Sequence, residues 1–448
     1  VEYVKVCPTY GPGFFYIPGT QTCLRVGGSV WAEINYGQPF KRTSDPLGTR
    51  TSANAFVDAR DNTEFGLLRT FANINMSRRT GSETSSVANR LGINYAAGTS
   101  SANSDGSGSA GRQMQTAYTA YVQLGGFTAG HMGSFYNQNS APNANIGIDG
   151  WDQRDQTNTI AYTFSLGNGM TLTGALEDNL ANRMGVFNSN TTITAASGAA
   201  TAGANYVIDG TSRLPDYVAS FMVDQAWGKV VLSGAVHSIN VQQGGTLTAP
   251  NNGGAYTAAG AVATQYGYAG QLSTKINLPM IASGDYLWAS LAYSNAASGF
   301  TLRNSPGIDV QSNNVSSFAI GRVGVSANDI AINNTTGAIY KAQVWGAAAE
   351  FGHYFTPTVM AYLAGSYTAL DWDAAAQALN TSAINPANMT RVDLGLVWSP
   401  VKGFKITPDV EWAKINAKVA TNYAATGEGA AKKSESAWTG RIKIQRDF

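Results

Sequence analysis

Few residues in this chain are spaced for covalent chemistry. The three histidines, His131, His237 and His353, lie far apart on different segments or turns. No GxSxG, P-loop or HExxH pattern accompanies them. The two cysteines, Cys7 and Cys23, bracket a stretch rich in Pro, Gly and aromatic residues (Pro8, Gly11, Pro12, Gly13, Pro18, Gly19). Such a pair reads as a disulfide made in an oxidising compartment, the alternative being two unrelated free thiols. No CxxC redox pair exists, and the third and fourth ligands of a zinc set are missing. What remains is electrostatics. Asp149, Asp152 and Asp155 cluster with Arg154 between about Tyr136 and Thr157, while Arg25, Arg60, Arg69, Arg441 and Lys443 occupy regularly alternating segments. Groups of this kind act on passing charges and dipoles rather than on bonds.

The elements that must position them are strands. The chain has 448 residues with 29 Lys plus Arg and 28 Asp plus Glu, only 13% charged, about half the roughly 25% of soluble domains. Fifty glycines and an aromatic set of 17 Phe, 9 Trp and 21 Tyr argue against a helical protein and against disorder. No run of about 18 apolar residues suggests a membrane helix. A net charge of +1 gives no reason to expect a nucleic-acid partner. The dominant signal is alternation with a period of two. Leu24, Val26, Val30, Ala32, Ile34 and Tyr36 share one face, opposite Arg25, Ser29, Trp31, Glu33 and Asn35. Trp438, Ile442, Ile444 and Phe448 alternate with Thr439, Arg441, Lys443, Gln445 and Asp447. Val392, Leu394, Leu396 and Trp398 alternate with Arg391 and Asp393, and Phe404, Ile406, Val410 and Trp412 with Lys405, Thr407, Asp409 and Glu411.

Such segments recur about sixteen times, near 22–36, 50–60, 64–76, 113–124, 127–135, 158–166, 170–177, 215–225, 229–239, 265–278, 286–295, 338–351, 358–370, 390–398, 404–416 and 437–448. Short connections (Asp61-Asn62-Thr63, Gly125-Gly126, Gly167-Asn168-Gly169, Trp227-Gly228) alternate with long ones rich in Gly, Ser, Asn, Thr and Ala (77–112, 178–214, 240–264, 296–337, 417–436). All short turns then fall at the end that holds both termini, and all long loops at the other. Alternating strands of about ten residues with this asymmetry predict an all-β, 16-stranded antiparallel transmembrane β-barrel. Lipid cannot satisfy backbone polar groups, and a closed barrel pairs them all. A soluble sandwich would alternate too, but would not sort its connections by length. A β-helix would show a short repeat. Tyr36, Trp398, Trp412, Trp438 and Phe448 near strand ends suit interfacial girdles.

Two regions carry a family resemblance. Val4-Lys5-Val6-Cys7, Tyr10-Gly11, Phe15-Tyr16-Ile17-Pro18-Gly19-Thr20 and Thr22-Cys23-Leu24-Arg25-Val26 resemble the start of alphaproteobacterial porins, more closely the Brucella-type general porins of the Rhizobiales. Phe448, ending an alternating strand, resembles the signal that outer-membrane barrels present to the barrel-insertion machinery. The resemblance implies a homotrimer of 16-stranded barrels in the outer membrane of a Gram-negative bacterium, in contact with lipid and lipopolysaccharide. It also implies a third long loop, 136–157, folded into the lumen. Residues 1–21 are expected as a periplasmic segment stapled through Cys7 and Cys23 to the first strand, and 22–448 as one barrel. The opening Val1-Glu2-Tyr3 lacks the features of a signal peptide, which fits a mature form or a chain that had none.

The expected function is passive diffusion of small hydrophilic solutes and ions through a water-filled channel, with no cofactor, metal or catalysis. The acidic loop residues Asp149, Asp152 and Asp155, with Arg154, would face Arg25, Arg60, Arg69, Arg441 and Lys443 across the constriction, making a transverse field. The plainer reading is that these charges are simply solvated. Asp58, Glu33 and Asp393 are weaker candidates, Asp393 standing two residues from Arg391 as though for a local ion pair. Rivals are a sugar- or anion-selective channel, a closed adhesin or structural barrel, and an outer-membrane hydrolase. Stacked lumen aromatics would favour sugars, with Phe56, Trp31 and Tyr121 as the candidates. A hydrolase would need a serine within reach of a histidine.

Overall fold

The computed structural model describes residues 5–39, 46–81, 113–143, 156–179, 184, 186–188, 206–208, 214–243, 245–247, 256–258, 262–302, 317–332, 338–378, 384–421 and 430–448. Sixteen long strands form one closed sheet. They are β1 (Cys23–Gly37), β2 (Leu47–Thr63), β3 (Gly66–Gly81), β4 (Gln113–Leu124), β5 (Phe127–Gly133) and β6 (Gln156–Gly167). Next come β7 (Met170–Glu177), β8 (Asp216–Gln225), β9 (Gly228–Gln243), β10 (Val262–Asn277) and β11 (Tyr286–Asn295). The last five are β12 (Gln343–Thr356), β13 (Val359–Asp371), β14 (Ala387–Val401), β15 (Phe404–Thr421) and β16 (Lys432–Asp447). Each pairs antiparallel with the next, and β16 returns to β1 in register from Ser29↔Asp447 to Gly37↔Thr439. No edge is left within this sheet, so no row of backbone donors faces lipid.

Alternation decides which face is which. Val26, Val30, Ile34, Leu394, Leu396, Trp398, Ile442 and Ile444 are exposed on the outside. Their neighbours Ser29, Glu33, Arg391, Asp393, Asp409 and Arg441 are buried against the interior. The molecule is thus apolar outside and polar inside, the inverse of a soluble domain and the pattern that lipid selects. The seven short connections lie at the end that carries Cys23 and Asp447. Asn168-Gly169 is one such turn, with both residues at positive φ (50° and 72°), as a two-residue hairpin loop requires. Asp61-Asn62-Thr63 is not a turn, contrary to expectation: these residues stay paired with Leu68, Leu67 and Gly66. The bend falls at Glu64-Phe65, where the Thr63 hydroxyl donates to the Gly66 carbonyl (2.7 Å) and accepts from the Phe65 amide (3.3 Å).

At the same end, Phe15–Tyr16 pairs with Leu24 and Cys23, and the Cys7–Cys23 disulfide closes the loop. Cys7, Phe14 and Cys23 are buried together. At the opposite end, residues 317–332 turn inward. Ile320, Val323, Val325 and Ala331 pack on Val344, Met389, Ile415 and Ala437 of the inner wall, and Thr421 Oγ1 accepts from the Gly324 amide (3.1 Å).

Three outcomes are expected. Leu394→Arg, which puts a charge on the outer face, should destabilise the barrel in lipid vesicles by about 2–4 kcal/mol, whereas Asn73→Lys on the inner face should change it by less than about 1 kcal/mol. Urea unfolding in vesicles separates the two. Replacing both Cys7 and Cys23 by Ser should lower stability by up to about 3 kcal/mol by releasing the closed loop, read as a lower denaturation temperature.

Candidate functional site

The interior is shaped by the segment after β5. Instead of continuing outward, the chain enters the barrel and runs along the inner wall from β7 to β12. Glu177 on β7 holds its start, accepting from Ser134 Oγ (2.6 Å) and the Phe135 amide (2.8 Å). Gln138 donates to Ser220 on β8. Asn139 is fixed from two strands: Ser273 Oγ on β10 donates to its carbonyl (2.7 Å), and Trp288 Nε1 on β11 donates to the same oxygen (3.0 Å). Glu350 on β12 accepts from the Asn143 backbone amide (3.1 Å) and side chain (3.2 Å), and from the Tyr286 hydroxyl. Glu177, Trp288 and Glu350 are all fully buried. A buried carboxylate is tolerable here because backbone and side-chain donors saturate it. The third loop is therefore folded into the lumen over residues 134–143. Asp149, Asp152, Arg154 and Asp155 lie outside the described residues.

Across the lumen from β7–β12, the walls of β1–β4 and β13–β16 carry the charges. Asp58 on β2 sits between two arginine forks. Arg60 reaches it at 3.1 and 2.7 Å, and Arg69 on β3 at 2.8 and 2.9 Å. Arg25 is exposed, lies over the Phe56 ring (5.5 Å), and has no carboxylate partner among the described residues. At the seam, Arg441 bonds to Asp409 and stands 3.9 Å from Glu33, which also faces Arg50 at 3.8 Å. Lys443 lies over the Trp31 ring (5.0 Å). Arg25, Arg60 and Arg69 thus come together, and Arg441 and Lys443 form a second group beside them. They are not a bare basic wall, since Asp58 and Asp409 are interleaved with them. The expected Asp393–Arg391 pair does not form. Arg391 turns to Glu411 (3.5 Å) and the Met389 sulfur (3.2 Å), and Asp393 stands opposite Glu411 in the register.

Between the loop and the seam lies a cavity of about 310 Å³. Pro142 and Asn143 line it on one side, and Lys405, Thr407, Lys443 and Gln445 on the other. The histidines are engaged elsewhere. His237 Nδ1 is 2.7 Å from Asp216 with Asp329 at 3.7 Å, His353 contacts Asp285 (2.7 Å), and His131 contacts Asn158 (3.0 Å). Sequence reasoning missed the loop anchors Glu177 and Glu350, and the role of Asp58 as the shared partner of two arginines. Asp58 could have been found from Arg60 two residues on and Arg69 just across the turn.

A closed sixteen-stranded barrel with a charged, loop-lined interior is a transmembrane channel scaffold. A family model described as the Porin subfamily matches residues 1–441. The chain belongs to that family. It is similar to Porin Omp2b of Brucella canis (32% identical over 234 residues, 51% of this chain and 55% of the relative). Porin Omp2b of Brucella suis is 33% identical over 238 residues, 51% of this chain and 56% of the relative. The matched region spans about half the length of these curated relatives. Among solved structures, Salmonella typhi OmpF in complex with daunomycin aligns with a TM-score of 0.46 at 12% identity, covering 95% of this chain and 98% of that one. Family membership and the apolar outer face put the protein in the bacterial outer membrane.

Glu350→Ala removes an acceptor shared by the Asn143 backbone amide and side chain and should weaken loop docking by roughly 1–3 kcal/mol. Faster amide hydrogen exchange over 134–143, with β14–β16 unchanged, is the expected result.

Proposed function

We propose that the protein is a general-diffusion channel, passing small hydrophilic solutes and ions down their gradients through a water-filled lumen. The carrying observation is the docking of residues 134–143 on β7–β12. It crowds one side of the barrel and leaves the charged walls of β1–β4 and β13–β16 to line the rest. Family membership and the porin relatives support the same reading.

In this reading Asp149, Asp152 and Asp155, with Arg154, continue the docked segment as the acidic side of the constriction. Arg25, Arg60, Arg69, Arg441 and Lys443 form the opposite side. Of these, Arg25 and Lys443 act most strongly on solutes, because Asp58 and Asp409 offset the others. A field across the passage orients dipolar solutes and disfavours apolar ones. The channel works as a homotrimer embedded in lipid and lipopolysaccharide. Residues 1–21 form a periplasmic staple, and Phe448 is read by the insertion machinery. No catalytic step is assigned. Among the described residues no serine is hydrogen-bonded to a histidine, so the hydrolase reading has no observation in its favour.

Single-channel recording in a planar bilayer tests this. Large ohmic openings in steps of three are expected in simple salt. Neutralising Asp149, Asp152 and Asp155 together should shift selectivity toward anions, and an unchanged ratio would remove the loop from the constriction. Silence from correctly folded protein would instead favour a closed barrel that serves as an adhesin.

A further inference from the structure

The wall facing the docked loop carries a feature that unselective diffusion does not use. Phe56 on β2, Phe71 on β3 and Tyr121 on β4 all point inward and are all half-buried. Phe56 and Phe71 have ring centroids 5.9 Å apart at 23°, and Phe71 and Tyr121 are 5.2 Å apart at 24°. The three rings form one offset-stacked ladder across three strands. Its β1 end is accommodated by a glycine. Phe56 leans across Gly27, where a Cβ would come within 2.7 Å of the ring tip. Trp31, an inward aromatic of β1, stands apart between Arg50 and Lys443.

Polar groups surround the ladder, and those beside Phe71 and Tyr121 have fixed geometry. Arg69 lies 5.2 Å from the Phe71 ring and 5.4 Å from Tyr121, and Arg25 lies over Phe56. Arg60 and Arg69 are held by their forks to Asp58, and Arg69 also donates to Gln123 (3.3 Å), which donates to Thr128 (3.1 Å). Arg60 is backed in turn by Phe14, with its guanidinium 4.7 Å from that ring. Aromatic surface beside side-chain donors and acceptors that cannot swing away is the recognition chemistry of a pyranose. Its C–H face stacks on an aromatic ring, and its rim of hydroxyls takes hydrogen bonds from charged and amide groups. Flexible solvated side chains would offer the same polarity without the geometry.

We propose that Phe56, Phe71 and Tyr121, flanked by Arg25, Arg69 and Gln123, form a weak, saturable stacking site for sugar rings in the channel wall. The ring spacing lets successive units of a short oligosaccharide move from one aromatic to the next. This deepens the diffusion-channel reading and rests on it: the pore stays open to salt and small solutes, and sugars are additionally retained along one wall.

The test is ion-current recording of the intact protein in a planar bilayer with maltohexaose as the probe. Wild-type channels should show current interruptions whose frequency rises and saturates with sugar concentration. Phe56→Ala, Phe71→Ala and Tyr121→Ala combined should weaken the apparent affinity by about tenfold or more, with salt conductance retained. Phe56→Tyr, Phe71→Tyr and Tyr121→Phe, which keep the rings, should retain the block. A polyethylene glycol of similar size serves as the control for simple volume exclusion. Absence of saturable block, an equal block by the glycol, or an unchanged block in the alanine variant would each overturn the site. If the alanine triple fails to fold, Phe71→Ala alone, at the centre of the ladder, carries the comparison. If the folded protein passes no salt current, the channel reading fails by itself. Calorimetric titration of the detergent-solubilised protein with maltohexaose then decides the site: heat that is lost in the alanine variant supports it, and no heat overturns it.

Discussion

The β1–β16 pairing is the interaction on which the rest depends. Until Glu33 meets Lys443 and Asn35 meets Arg441 in the ladder, the sheet has two edges and its polar face has no inside. Closure satisfies the last backbone groups that lipid cannot. It also brings the charges of the two ends of the chain together, so that Glu33 stands between Arg50 of β2 and Arg441 of β16. The seam is thus both a mechanical joint and part of the electrostatic lining.

Once the barrel is closed, its interior is too wide for side chains alone to fill. Two inward excursions take up part of the space. Residues 134–143 dock through hydrogen bonds to buried acids, with Glu177 at one end and Glu350 at the other. Residues 317–332 add apolar contact, with Ile320 and Val323 in one cluster with Met389 and Ile415, to hydrogen bonds such as that from the Arg322 amide to Glu435 (2.7 Å). The first leaves the β1–β4 wall facing the passage, and that wall holds both the Asp58 forks and the aromatic ladder. The lining of the passage, and with it the proposed retention site for sugars, then follows from one architectural choice, which is the side on which the third loop lies.

Much of this was legible in the sequence. Period-two alternation is a local property, so Val26 and Ile34 outside with Glu33 and Asn35 inside could be read directly. The sorting of short and long connections gave the strand count and the shared end of the termini. The site was less legible because its partners are distant in sequence. Asn143 and Glu350 meet only through the fold, as do Arg441 and Glu33. Asp393 and Arg391 illustrate the reverse error: they are neighbours in sequence on one face, yet Arg391 turns across the strands to Glu411 and makes no pair with Asp393. The inner-face Met389 and Ile415 break the polar rule near strand ends, and this was the available sign that residues 317–332 would fold over them. Phe71 was the missing middle of the ladder, since Phe56 and Tyr121 are joined only through it.

The central claim is that the polar face encloses water while the apolar face meets lipid. Cysteines placed at neighbouring positions of β3 test it directly, because the native cysteines are joined in a disulfide and give no background thiol. In protein reconstituted into lipid vesicles, Asn73→Cys should react with a charged, membrane-impermeant thiol reagent, and Ile74→Cys should not. Protection at 73 with reaction at 74, or equal reaction at both, would contradict a water-filled lumen.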